Sequence, residues 1–215
     1  MAQIKLKTKI DADFIVEIMS VFEKFEHQNK KYLSYLNTEQ KGDEAVIYEK
    51  IIIPLFTDVL NYDKHKDFYP QAALSTGKVD NWIKNREGSS LIALEALRSN
   101  ASQAEFIEHR QRLLSGYFDE LGVKYAVLTN GVVFEVWDRM AEKSKWPFVT
   151  IDFREIYIKF IEKGIKVFVD EDWRKFSTLM TLKKENQYLD VEHIYPEPQL
   201  DISEKLHFNN FLNKG

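Results

Sequence analysis

Apolar residues recur at helical spacing from Asp13 to about Leu36, through Phe14, Ile15, Ile18, Met19, Val21, Phe22 and Phe25, and Asp11 or Asp13 can cap the start. The pattern predicts a helix. A polar break, NTEQKGDE (Asn37 to Glu44), separates it from a second helical pattern in which Ile47, Ile51, Leu55 and Val59 lie one turn apart, with a kink or restart expected at Pro54. Two strands are expected next, Gln71 to Ile83 and Leu91 to Leu97, forming a hairpin across the loop KNREGSS. Helical spacing returns from Asn100 to Leu121 through Phe106, Leu113, Tyr117 and Leu121, with Gly122 as its C-cap. Lys124 to Thr129 and Val132 to Asp138 then read as two strands joined at Asn130-Gly131, a strong hairpin signal. Beyond Trp146 the chain reads as mostly helical, over Phe153 to Lys163 and Glu171 to Glu185, with a short apolar Val167 to Val169 between them.

Composition narrows what such a chain can be. Its 215 residues and 44% hydrophobic content fit one sizeable core, or one domain with a small helical appendage. The absence of cysteine excludes disulfides and cysteine-ligated zinc, and nothing asks for an oxidising compartment, so a cytoplasmic location is expected. The N-terminus lacks the apolar stretch of a signal peptide, and no run approaches the roughly 18 apolar residues that span a bilayer. A formal net charge of -4 and a pI of about 5.8 argue mildly against tight, sequence-independent binding to a phosphate backbone. The basic clusters, such as Lys64 to Lys66 and Arg110 to Arg112, are short and read most simply as solvated surface. The five histidines never fall at paired metal-ligand spacing and read as surface or helix-end residues. Trp82, Trp137, Trp146 and Trp173 offer stacking surfaces for bases but are more often core.

The acids Glu49, Asp80 and Glu95 stand out by position. Asp80 and Glu95 sit among apolar residues of the two expected strands, where a carboxylate is costly unless paired or bound to metal. Acids on neighbouring strands can share a hard cation such as Mg²⁺, which takes oxygen ligands and keeps several waters. The plainer account is that Asp80 ends its strand at a turn with Asn81 and Glu95 faces solvent.

The chain also resembles a family: the N-terminal nuclease domain of the restriction subunit of type I restriction enzymes, within the PD-(D/E)xK superfamily. The resemblance runs from Tyr48-Glu49 followed by IIIPLFTDVL, through GKVD (Gly77 to Asp80) and LIALEAL (Leu91 to Leu97), to YFDELGVKYAVLTNGVVFEVWD (Tyr117 to Asp138). It implies an α/β (α+β) fold with a restriction-endonuclease-like central mixed sheet flanked by helices, DNA as partner, and Glu49, Asp80 and Glu95 as ligands of one or two Mg²⁺ ions. On this reading residues 1–44 are a helical extension, 45–150 the restriction-endonuclease-like core, and 151–215 a C-terminal helical extension packed on it.

Two positions depart from the family's pattern. Where the family has a lysine two residues after the second acid, this chain has Leu97; strand alternation points Arg98 to the other face and makes Lys78, two residues before Asp80, the better replacement. Where the family has a glutamine one turn before the helix tyrosine, this chain has Leu113. Gln111 lies about 200° away around an α-helix and needs a register change to serve. Gln111 and Tyr117 remain the residues of that helix expected to approach nucleic acid. Two outcomes stay open: a Mg²⁺-dependent endodeoxyribonuclease with Asp80, Glu95 and Lys78 in catalysis, or an inactive nuclease-like module that binds nucleic acid or a protein partner. The helical ends also offer an interface for a homodimer.

Overall fold

The computed structural model describes residues 12–29, 44–75, 77–84, 88–139 and 149–184. Among these, helix α1 (Ala12–Asn29) buries the stripe from Phe14 to Phe25 that its period predicts; the expected continuation to Leu36 lies outside the described residues. Helix α2, residues 44–59, begins with an α turn (Glu44–Ile47) and continues through two π turns, Tyr48–Ile52 and Leu55–Val59, on either side of Pro54. Proline has no N–H to donate and its ring crowds the carbonyl four residues back. The chain meets this by widening its turns: the Ile53 amide bonds Tyr48 O and the Leu60 amide bonds Leu55 O.

Strands β1 (Phe68–Leu74) and β2 (Gly77–Lys84) are antiparallel neighbours. The single strand expected over Gln71 to Ile83 is thus two, because the chain reverses at Gly77, whose φ of 135° suits glycine alone. Strand β3 (Ser90–Ala96) pairs antiparallel with β2, giving the expected hairpin. Helix α3, residues 103–121, opens with a capping box between Ser102 and Glu105, widens to a π turn at Leu113–Tyr117, and stops at left-handed Gly122. It carries the chain to β4 (Tyr125–Thr129), which lies parallel to β3. Strand β5 (Val133–Asp138) returns antiparallel. At that turn Asn130 Oδ1 accepts the Val132 and Val133 amides, and only Gly131 has positive φ. A two-residue turn of the Asn-Gly type needs both residues there, so this connection is longer. Strand β6 (Val149–Asp152) adds an edge that the sequence pattern does not show, since four residues with one fully buried apolar side chain carry no period. Helix α4 (Phe153–Lys163) is capped by Asp152, and α5 (Asp170–Thr181) follows a 3₁₀ turn at Ile165–Val167.

The six strands form one mixed sheet in the order β1-β2-β3-β4-β5-β6. Alternate residues of β3, β4 and β5 feed two cores. On one face Ile92, Leu94, Val127, Phe134 and Val136 pack with α1, α2, α4 and α5; on the other Ala93, Leu97, Ala126, Leu128 and Trp137 pack with α3. This is the helix-flanked mixed sheet of a restriction-endonuclease-like fold. The helices outside 45–150, α1, α4 and α5, bury their apolar faces in the first of these cores. No helix among the described residues is long and apolar enough to cross a membrane.

Candidate functional site

The β2–β3 ladder changes character at Asp80. It is regular from Asn81↔Leu94 to Ile83↔Ile92. At Asp80 carboxylates replace carbonyls: the Ala96 amide donates to Asp80 Oδ2 at 2.7 Å, and the Asp80 amide donates to Glu95 Oε2 at 3.1 Å. Side-chain alternation fails there too. Val79 packs in the α3 core, while Asn81, two residues on, meets Tyr48 of α2 on the opposite face. Residues two apart on a regular strand share a face, so β2 turns over at Asp80.

Glu95 keeps its place in the β3 alternation, between Ala93 and Leu97 on the α3 side, and is 3% exposed. Burial of a carboxylate is tolerable only with donors around it, and Glu95 has several. Besides the Asp80 amide, His109 Nδ1 lies 2.9 Å from Oε1, and the Tyr117 hydroxyl lies 3.4 Å from it and 3.2 Å from Lys78 O. One register row across the sheet is Glu95, Leu128, Glu135. Consecutive residues of α3 answer its two acids: His109 reaches Glu95, and Arg110 takes the buried Glu135 with both Nε and Nη2.

Crowding of negative charge in a half-buried place has the expected effect on Asp80. Burial, then the charge of Glu95, push its carboxyl up to about 6, against the pull of the Ala96 amide; Glu44 of α2 adds to the rise. Tyr48 is raised to about 12, first by burial and then by the charge of Glu49. Tyr117 is raised well above the usual phenol range by burial and by Glu95.

Of the residues singled out from the sequence, Asp80 and Glu95 are brought together. Glu49 is exposed and forms an ion pair with Lys64 at 3.1 Å; the acid of α2 whose charge is felt at Asp80 is Glu44. Lys78 is exposed, and because β2 turns over at Asp80 the alternation that assigned both to one face does not hold. Gln111 is exposed on α3. Tyr117 is fully buried in the α3 core, so the approach to nucleic acid expected of it is replaced by an internal bond to Lys78 O. Leu97 and Leu113 are both core residues of the same cluster. Trp137 is core, and Trp82 is half-buried with the Lys84 ammonium 3.4 Å above its ring; Trp146 lies outside the described residues.

His109 and Arg112 also meet at this site, though the α period of the helix singles out neither. An α period puts Leu113 one turn before Tyr117. In the π turn, closed by the Phe118 amide on Leu113 O, the preceding turn reaches back to Arg112 as well, whose charge acts on Tyr117. The visible signal was Ser115-Gly116, two weak helix formers within an otherwise strong helix.

Among the described residues no three His, Asp or Glu side chains lie close enough to hold a metal ion by themselves. The pair Asp80 and Glu95 nonetheless suits a hard cation that keeps most of its waters. Two adjoining carboxylates, one of them pushed up by the other's charge, are relieved by a cation between them.

No known protein family matches the sequence, and no curated protein matches it. Among solved structures, a chain from the cryo-EM structure of a DrdV–DNA complex is similar over 72% of this chain and 99% of its own length, with 9% identity and a TM-score of 0.41.

Proposed function

We propose that this protein is a nuclease-like enzyme acting on DNA, with Asp80 and Glu95 as the carboxylates that hold a divalent cation, Mg²⁺ being the natural one. The observation that carries the reading is the junction where β2 leaves β3: both carboxylates meet there, one bonded to the other's main chain, and the carboxyl of Asp80 is raised to about 6. Structural acids are not usually placed to destabilise one another in this way, whereas perturbed carboxylates cluster at functional sites. When bound, the cation would activate a water and stabilise charge on a phosphate. Glu95 is fixed by its donors, and Asp80 is the more exposed of the two. Plasmid DNA incubated with Mg²⁺ is expected to be cut by the wild type and not by Asp80→Ala or Glu95→Gln. Absence of cleavage by the wild type, or cleavage indifferent to both substitutions, overturns the reading.

A second reading is favoured by one observation: Leu97 stands in the core where the resembling family carries its lysine. On that reading the fold is retained for binding and the acids are remnants. DNA binding that persists unchanged in EDTA, with no turnover, would decide for it.

A further inference from the structure

We propose that Arg112 is the phosphate-binding cation of this site, with His109 as the residue that positions it; the proposal rests on the reading that the site takes a phosphodiester. Phosphoryl chemistry beside two carboxylates needs a cation that faces the substrate. Leu97 cannot be that cation, and β2 does not carry Lys78 to the face of Asp80 by alternation. Arg112 reaches the site from α3.

Its Nη2 lies 2.6 Å from His109 Nε2 and 2.9 Å from Nδ1. Nδ1 faces the carboxylate of Glu95 at 2.9 Å. Near-equal distances to the two ring nitrogens place the guanidinium against the imidazole, whose Nδ1 stays at hydrogen-bond distance from Glu95. The buried acid thereby fixes the ring, and the ring fixes the guanidinium. The opposite nitrogen, Nη1, is 3.9 Å from where a side chain at Gly77 would begin, at the exposed start of β2, three residues before Asp80.

Arg112 is not spent on a structural pair. Arg110 grips Glu135, and Arg98 lies 2.7 Å from Glu105. The carboxylate near Arg112 is that of Glu108, 3.9 Å away and 70% exposed, and the buried Nε of Arg112 has no hydrogen-bond partner. With Nη2 against His109 and Nε buried, Nη1 on the Gly77 side is the donor that a half-buried Arg112 offers to an anion at the edge of the acidic site.

The test uses the full chain with arginine side chains labelled with ¹⁵N, titrated with inorganic phosphate and, separately, with duplex DNA. Phosphate is expected to shift the Arg112 Nε–H signal saturably and to leave Arg110 unmoved. Arg112→Gln is expected to abolish phosphate binding, Arg112→Lys to retain it weakened about tenfold, since a point charge replaces the planar guanidinium, and His109→Asn to weaken it with the arginine still present. DNA binding by Arg112→Gln should lose about one unit of salt slope, the signature of one phosphate contact. An Arg112 signal unmoved by phosphate overturns the proposal. If DNA is still bound and cut in that case, the functional reading stands without it. Phosphate binding at Arg112 in a protein that ignores DNA would leave the anion site in place and remove its assignment to a nuclease.

Discussion

The amide of Asp80 donates to the carboxylate of Glu95 at 3.1 Å, so the two acids of the candidate site are also the clasp that holds β2 to β3 where their ladder ends. Chemistry and strand pairing use the same oxygens. Glu95 accepts at both of them, from the Asp80 amide on one and from His109 and Tyr117 on the other. A glutamine in its place offers one acceptor oxygen and turns an NH₂ toward a donor on the other side. Glu95→Gln is therefore expected to lower stability by about 1–3 kcal/mol in denaturant unfolding. Unfolding indistinguishable from wild type would mean that Glu95 is not held as described.

Asp80 predicts the opposite sign. Its carboxyl titrates near 6 in the folded protein against an ordinary 3.8, so the folded state holds the proton more tightly than the unfolded one. Stability from this group is present at low pH and is lost as pH rises from about 4 through about 6. Such a shift corresponds to at most about 3 kcal/mol, which partial exposure reduces to roughly 1–2. Asp80→Asn removes the charge and can still accept the Ala96 amide. It should match the wild type near pH 4 and exceed it by that margin near pH 7.5, measured by urea unfolding at both. A gap that fails to widen with pH would contradict the assignment.

Periodicity and turn chemistry carry most of this fold because they agree with its burial. The Phe14–Phe25 stripe, the Gly122 boundary of α3, the helix Phe153–Lys163 and the β4–β5 pairing were all legible, whereas the helical pattern begun at Asn100 starts after the Ser102 cap. The convergence of Asp80 and Glu95 was also legible, since two acids within apolar strands need one another or a cation. What failed depended on ideal local geometry. Lys78 was assigned by strand alternation, which breaks at Asp80, and Arg112 was hidden because the α period does not survive the π turn before Tyr117. Both irregularities lie beside the acids.

Arg110, partly buried, and the buried Glu135 form an ion pair that ties α3 to β5, two strands away from β3 in the sheet order. Removing one partner strands a charge. Glu135→Leu is expected to cost about 3–5 kcal/mol, whereas Arg110→Met with Glu135→Leu together should recover most of it, because paired apolar groups of similar volume are tolerated. A thermodynamic cycle of the two singles and the double reads the coupling directly. Equal losses in the single and the double would show that the pair is not what holds α3 down.

Gly131 joins the β4–β5 turn to α2 and is required twice over. Its φ is +80°, and a Cβ there would meet Ile47 Cγ2 at 2.7 Å and Cδ1 at 2.9 Å. Positive φ by itself makes alanine unfavourable by roughly 1–2 kcal/mol. Here the helix must also retreat, and Ile47 is the first fully buried residue of α2, one position before Tyr48. Gly131→Ala is expected to cost about 3 kcal/mol, at the upper end of overpacking penalties. Ile47→Ala removes both clashing atoms, so the loss in the double variant should be smaller than the sum of the two single losses, the cavity and the backbone strain remaining. Losses that simply add would show that the turn and the helix do not touch.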